Sequence, residues 1–253
     1  MENTDHIVVI QQPNSEVAES YRSLRASLTR HISRGKRRIA LVSTWSGDGK
    51  SMVCTNLSVV LSQLHLNVVL VDGDLRLPTI SKVLGMDQYR GFTDYLEGGV
   101  ELEELLQATP VPNLRVLPRG LSTENPANLL GRERLATLFQ TLQAEADCVI
   151  VDTPPLTACS DAILIGVQAD AAILVVNPKS WDGDVEARQK QQLLEHNIEV
   201  LGVVLNGASD SENRGYGSAY SNTYRYKYNY VSRNAPSPSD SKAEPRKGWF
   251  KRN

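Results

Sequence analysis

Residues 38–51 read RIALVSTWSGDGKS. Four consecutive apolar residues, 39–42, lead into Ser43. A short polar stretch with two glycines follows, and a helical pattern starts at Lys50 and runs to about 64. A strand that is apolar at consecutive positions is buried on both faces, as in a parallel sheet covered by helices. The same kind of run recurs at 67–72, 114–117, 147–152, 171–176 and 199–205. Helical patterns lie between the runs, clearest at 50–64, 131–145, 160–168 and 184–196. Strand–helix–strand crossovers are right-handed. The alternation therefore predicts an α/β fold, a doubly wound and mostly parallel sheet flanked by helices, with its ligands at the carboxyl ends of the strands. Residues 78–130 are broken by Pro78, Gly85, Gly91, Gly98 and Gly99 into short helices and turns.

The whole chain has 253 residues, 41% apolar and 22% charged, with a net charge of −2. That supports one sizeable core and excludes collagen, a pure coiled coil and wholesale disorder. Three cysteines (Cys54, Cys148, Cys159) without a CxxC fit a reducing compartment, and four scattered histidines show no metal-site spacing. The N-terminus shows no secretory leader, and no apolar run is long enough to span a membrane. The expectation is a cytoplasmic protein that meets a membrane only through a partner. The near-neutral total is a cancellation. Residues 211–253 carry nine Lys/Arg against three Asp/Glu, and the rest carry eighteen against twenty-six. Six of the nine tyrosines fall in that basic tail, at Tyr216, Tyr220, Tyr224, Tyr226, Tyr228 and Tyr230.

The glycines before Lys50 let the backbone curl so that its N–H groups point inward, and the helix start adds its positive end. The ending Gly-x-Gly-Lys-Ser fits a P-loop that includes Ser46, Gly47, Asp48, Gly49, Lys50, Ser51 and Met52. Lys50 would reach the β- and γ-phosphates, and the Ser51 hydroxyl would ligate Mg²⁺. Thr44 stands where the consensus has its first glycine. A bare Gly-Lys-Ser is also an ordinary helix start, but its place after a buried strand favours a nucleotide.

Two more strand ends carry acid. Asp72 closes VVLV ahead of Gly73-Asp74-Leu75-Arg76, and Asp152 closes CVIV ahead of Thr153-Pro154-Pro155. In a parallel sheet both emerge on the edge that holds the P-loop. Asp152 suits the metal-holding role, with Asp72 as a second ligand, and Asp72 or Asp74 can accept a hydroxyl proton. One such aspartate is often a loop cap; three strand ends in one architecture are not. Asn206, after the last strand, is either a base contact or a turn residue before Gly207. Arg132 and Arg134 lie near a helix start and suit surface pairing better than phosphates.

Residues 15–33 read as a helix with Ser15 as its N-cap and Val17, Tyr21, Leu24 and Leu28 as its apolar stripe. Glu19, Arg22 and Arg25 share one face at three-residue spacing, which by itself is only a solvated charged face. The tail, YGSAYSNTYRYKYNY over 216–230, has Ser, Asn and Gly between its tyrosines. It is either an extended acceptor segment or a basic aromatic arm of the kind that stacks nucleic-acid bases.

Together these motifs resemble the bacterial tyrosine kinases of capsule and exopolysaccharide systems, over most of the chain. STWSGDGKS resembles their Walker A motif, VVLVDGDLRLP their Walker A′, with Asp72, Asp74, Arg76 and Pro78 in register, and VIVDTPP their Walker B. Glu19, Arg22 and Arg25 match their ExxRxxR oligomerisation motif, and the tail matches their C-terminal tyrosine cluster. The loop departs from the family's Pro-Gly-Glu-Gly-Lys-Ser at Ser46 and Asp48. The resemblance implies an autophosphorylating ATP:protein-tyrosine phosphotransferase that uses ATP and Mg²⁺. It implies catalytic Lys50, Asp72, Asp74 and Asp152, and metal contacts from Ser51, Asp72 and Asp152. It also implies a ring-like homo-oligomer, a transmembrane polysaccharide co-polymerase adaptor as activator, a cognate phosphatase and protein substrates, with no nucleic acid expected. The expected division is 1–36 for the oligomerisation helix, 37–207 for the ATP-binding domain and 208–253 for the flexible tail, a split form with a separate membrane partner. The competing resemblance is to ParA/MinD-type ATPases, nucleotide-switched binding proteins. Their P-loop carries an extra lysine where this chain has Trp45.

Overall fold

The computed structural model describes residues 7–86, 89–121, 123–131 and 133–208. The tail tyrosines and Arg132 lie outside the described residues. The elements run α1 (Val8–Gln11), α2 (Glu16–Ile32), β1 (Arg38–Ser43), α3 (Lys50–Ser62), β2 (Val68–Asp72), α4 (Ile80–Leu84), α5 (Phe92–Glu97) and α6 (Leu102–Leu105). They continue with β3 (Gln107–Ala108), β4 (Leu114–Leu117), α7 (Pro126–Leu130), α8 (Glu133–Glu145), β5 (Cys148–Asp152), α9 (Asp161–Gln168), β6 (Ala171–Val176), α10 (Gly183–Glu195) and β7 (Val200–Leu205).

The strands form one sheet in the order β3-β4-β2-β5-β1-β6-β7. All neighbours are parallel except β3, which runs antiparallel to β4. β1 sits between β5 and β6, so the chain leaves it in one direction towards β2 and later crosses to β6 on its other side. That reversal is the switch point at which open α/β sheets bind ligands. Register brings the acid-bearing strand ends level: Asp72 pairs with Asp152, and Leu41 of β1 pairs with Asp152.

Alternate residues of the central strands face opposite layers. Ile39, Leu41, Leu70 and Ile150 pack with α2 and α3 side chains such as Leu28, Leu57 and Leu61. Val69, Val71, Val149 and Val151 pack on the other face with Phe92, Leu138, Phe139 and Leu142. Apolar side chains cover both faces, so β1, β2, β5 and β6 are buried along nearly their whole length. Truncating a residue such as Leu57 to alanine would cost about 2–5 kcal/mol. In α2, Ser15 caps the first turn by accepting from the Ala18 N–H at 3.1 Å. Its buried stripe is Ala18, Tyr21, Leu28 and Ile32. Val17 is 52% exposed, so the stripe begins one residue later than its spacing suggests. No helix among the described residues is long and apolar enough to cross a membrane.

Candidate active site

The P-loop begins where β1 ends, and two residues in the left-handed region turn it. Gly47 has φ 89° and Gly49 has φ 84°. At Gly49 a Cβ would also lie 1.9 Å from the Asn206 amide nitrogen, so a side chain there would push the Asn206 amide off the Asp48 carbonyl. α3 starts at the next residue, so Lys50 and Ser51 are the first two residues of a helix whose N–H groups face the loop. Ser46 and Gly47 form the exposed tip, Ser51 and Met52 are half-buried, and Asp48 and Lys50 are buried.

Lys50 turns to the strand ends. Its Nζ lies 2.6 Å from Asp152 Oδ1, in a pair where the lysine side chain is 6% exposed and the aspartate fully buried. Burial alone would lower the ammonium's pKa; the charge of Asp152 and its hydrogen bond outweigh that, and the pKa is raised. Cys54, one turn along α3, is fully buried and donates its thiol to the same Asp152 oxygen at 3.6 Å. Asp72 accepts the Ile80 N–H at 3.1 Å through Oδ2. Burial, with the charges of Asp152 and Asp74 beside it, pushes the Asp72 carboxyl well above the usual carboxylate range. Asp74 accepts the backbone N–H groups of Arg76 and Leu77 at 3.1 and 2.9 Å, which shapes the loop after β2. Gly73 lets that loop lie against β5: its N–H donates to the Asp152 carbonyl, and a Cβ there would be 2.5 Å from the same oxygen.

Two carboxylate oxygens here, Asp72 Oδ1 and Asp152 Oδ2, are buried without a hydrogen-bond partner. Uncompensated buried acceptors are costly, and a cation would satisfy both. No group of three or more His, Cys, Asp and Glu suited to a metal occurs among the described residues. Mg²⁺ keeps several waters and takes one or two carboxylates with a hydroxyl such as Ser51 and phosphate oxygens, so the two partnerless carboxylate oxygens are the kind of donors it uses. The donor set fits the metal of a nucleotide site.

The opposite flank of the loop is braced. Asp48 Oδ2 accepts the Trp45 N–H at 2.9 Å, and its Oδ1 accepts the Ser180 hydroxyl at 2.6 Å. The Asn206 amide donates to the Asp48 carbonyl at 2.9 Å. Thr44, fully buried, gives its hydroxyl to Glu186 of α10, while its carbonyl accepts the Thr157 hydroxyl at 2.6 Å. Glu186, Ser180 and Thr157 carry no motif signal. An acid in the first turn of a helix reads in sequence as a complement to the helix dipole, whatever it touches.

The remaining candidates are placed as follows. Arg76 forms a two-pronged pair with Asp161 at the start of α9, at 2.9 and 3.4 Å, tying the loop after β2 to that helix. Arg134 donates to the Tyr95 carbonyl at 2.8 Å and stacks over its ring at 4.8 Å, which makes it structural. Arg22 pairs with Glu19 at 3.0 Å on the exposed face of α2, and Arg25 donates to the Val60 carbonyl at 3.0 Å. Among the body tyrosines, Tyr21 and Tyr95 are buried and Tyr89 is 75% exposed. Burial raises the Tyr21 phenol to about 12.

A ParA-type family model, described as NUBPL iron-transfer P-loop NTPase, matches residues 34–214. The chain is 33% identical over 241 residues to a putative tyrosine-protein kinase, EpsB, of Ralstonia solanacearum, covering 93% of this chain and 32% of that one. It thus spans about a third of that relative's length. It is 32% identical over 213 residues to the tyrosine-protein kinase YwqD of Bacillus subtilis, covering 84% of this chain and 90% of that one. Among solved structures, the kinase domain of the Escherichia coli tyrosine kinase ETK superposes with a TM-score of 0.75 at 27% identity, over 83% of this chain and 84% of that one.

Proposed function

The chain belongs to the bacterial tyrosine-protein kinases and carries a ParA-type P-loop NTPase domain, and from that premise we propose that it phosphorylates tyrosine with ATP. The observation that carries the reading is the convergence of Lys50, Asp152, Asp72 and Asp74 on one sheet edge, with two carboxylate oxygens left without partners. The loop amides and Lys50 hold the phosphates, and Ser51, Asp72 and Asp152 hold Mg²⁺, which offsets the repulsion between carboxylates and polyphosphate. An incoming tyrosine oxygen forms a bond to the γ-phosphorus as the bond to the β–γ bridging oxygen breaks. ADP leaves with that electron pair, and the phenolic proton passes to Asp72 or Asp74.

The acceptors are the tail tyrosines of a neighbouring copy, Tyr216 to Tyr230. Two of the three body tyrosines are buried and closed to such a reaction. Each phosphate adds roughly −1.5 to −2 charges, so full modification reverses the positive tail. In the division proposed, 1–36 contributes Glu19, Arg22 and Arg25 to subunit contacts, 37–207 binds nucleotide, and 208–253 is the acceptor. The biological setting is control of exopolysaccharide or capsule polymerisation and export at the inner face of the membrane, through a membrane adaptor, with a phosphatase as the reverse step. A phosphotyrosine blot after incubation with Mg·ATP and the adaptor's cytoplasmic segment tests this. Signal in the wild type and none in Lys50→Met supports it; equal signal in both refutes it.

The ParA-type family match favours a second reading, a nucleotide-switched binding protein that hydrolyses ATP and modifies nothing. ATP consumption without phosphotyrosine would establish that reading instead.

A further inference from the structure

Glu186 is 3% exposed, yet it lies in the first turn of α10, where acids usually face water. Its Oε2 accepts the Thr44 hydroxyl, and its Oε1 has no partner. Burial raises its pKa, the Thr44 hydroxyl offsets part of that, and the charges of Asp48 and Asp182 add to it. A buried carboxylate with one partner, facing two further acids, weighs against folding stability. What it holds is the joint between β1 and the phosphate loop, at the position where the consensus has a glycine with no side chain to anchor. The same segment touches the loop a second time, through Ser180 and Asp48.

We infer that Glu186 is a positioning residue: through the Thr44 hydroxyl it fixes the entry to the phosphate loop, and so sets nucleotide affinity without touching the nucleotide. The inference rests on the reading of residues 43–51 as a phosphate site. A threonine hydroxyl buried at that joint needs an acceptor, and a charged acceptor makes the stronger, more directional bond. Thr44 is then clamped from two sides, by α10 through its side chain and by the loop after β5 through its carbonyl. Loop amides that must converge on one phosphate lose affinity when the joint before them can rotate.

The test is a calorimetric titration of the full chain with Mg·ADP, comparing wild type, Thr44→Val, Glu186→Ala, the double variant and Glu186→Gln. Thr44→Val and Glu186→Ala should each weaken binding about tenfold, and the double variant no more than about twofold beyond either, since coupled residues do not add. Glu186→Gln should stay within about threefold of wild type, because its amide oxygen still accepts the hydroxyl. Wild-type affinity in Thr44→Val, or single effects that multiply in the double variant, would overturn the inference. If Glu186→Ala does not fold, Thr44→Val and Glu186→Gln decide it: weakened binding in the first with retained binding in the second supports it, any other pattern refutes it. Wild type failing to bind Mg·ADP would overturn the nucleotide reading, and this inference with it; wild-type binding unchanged in Thr44→Val overturns this inference alone.

Discussion

Acidic side chains flank Lys50 and its loop on two sides, and they are used in opposite ways. Towards β2 and β5, Asp72 and Asp152 are fully buried and each keeps one oxygen without a partner. Towards α10 and β7, both oxygens of Asp48 are bound, to Trp45 and Ser180, and Glu186 is held to Thr44. The first set retains capacity for a cation and a proton. The second set is tied into the loop and shapes it, Asp48 by both oxygens and Glu186 by one, although Glu186 Oε1 is also left without a partner. Neither residue type nor a spare oxygen separates the two roles; the neighbours do, Lys50 and a second strand-end acid on one side, the hydroxyls and an amide of the loop and its brace on the other.

The largest effect should come from breaking the first flank. Lys50→Met removes the charge that compensates Asp152, so phosphotransfer should fall to background. The variant should also lose about 3–5 kcal/mol of stability, because a charge is left buried without its partner. Denaturant unfolding beside the phosphotyrosine assay checks both parts. An active or equally stable variant would mean that the pair is peripheral.

Asp72→Asn should separate stability from chemistry. A carboxyl whose folded pKa is raised binds its proton more tightly in the folded state. Its stabilising contribution is full below the unfolded value of about 3.9 and is lost as pH rises through the raised folded value. The variant, free of that loss, should melt above wild type at pH 7.5 by a few degrees, about 2–4 °C per kcal/mol. The advantage should shrink as pH falls, while phosphotransfer drops by about 10²-fold or more. A melting difference independent of pH would contradict the assignment of the titrating group.

On the braced flank the effects should be smaller and of another kind. Asn206→Ala removes a hydrogen bond to a loop carbonyl, worth about 0.5–1.5 kcal/mol, and Ser180→Ala one to the Asp48 carboxylate, worth about 1.5–3 kcal/mol. They should raise the KM for ATP several-fold with little change in the maximum rate. A fall in rate at saturating ATP would place these residues among the catalytic groups. Smallest of all in stability is the exposed Glu19–Arg22 pair, worth about 0.2–1 kcal/mol. Alanine at both positions should barely move the melting point and, with Arg25→Ala, should reduce oligomer size in light scattering. Unchanged size would assign that face to solvent.

The strand-end acids of the first flank stood out in the sequence; of the second, Asp48 and Asn206 stood out through the loop motif and the last strand, while Ser180, Thr157 and Glu186 did not. Asp72 and Asp152 stand at the ends of apolar runs, Lys50 closes the glycine loop that follows another, and a parallel sheet brings such ends to one edge. Glu186 sits in a helix whose pattern is that of any surface helix, and its burial follows from how α10 meets the loop after β1. The fold shows the same limit. The buried strands β1, β2, β5 and β6 read as continuous apolar runs because helices cover both faces. β7 reads the same way, yet it lies at the sheet edge with Val203 and Leu205 about half exposed. The two-residue β3 and the four-residue α1 are too short to leave a period. α1 is instead tied to α3 through the Val9 N–H and the Asn56 side chain, a contact that no local pattern announces.

Mixing two variants, each unable to phosphorylate its own tail, tests phosphotransfer between copies most directly. Lys50→Met keeps the tail but lacks the phosphate lysine; a chain ending at residue 208 keeps the site but lacks the tail tyrosines. Each is incubated with Mg·ATP and the adaptor's cytoplasmic segment, alone and together, and phosphotyrosine is mapped by mass spectrometry. Phosphate should appear on Tyr216–Tyr230 of the Lys50→Met chain only in the mixture. ATP consumed by the truncated chain with no phosphotyrosine in the mixture would contradict that expectation.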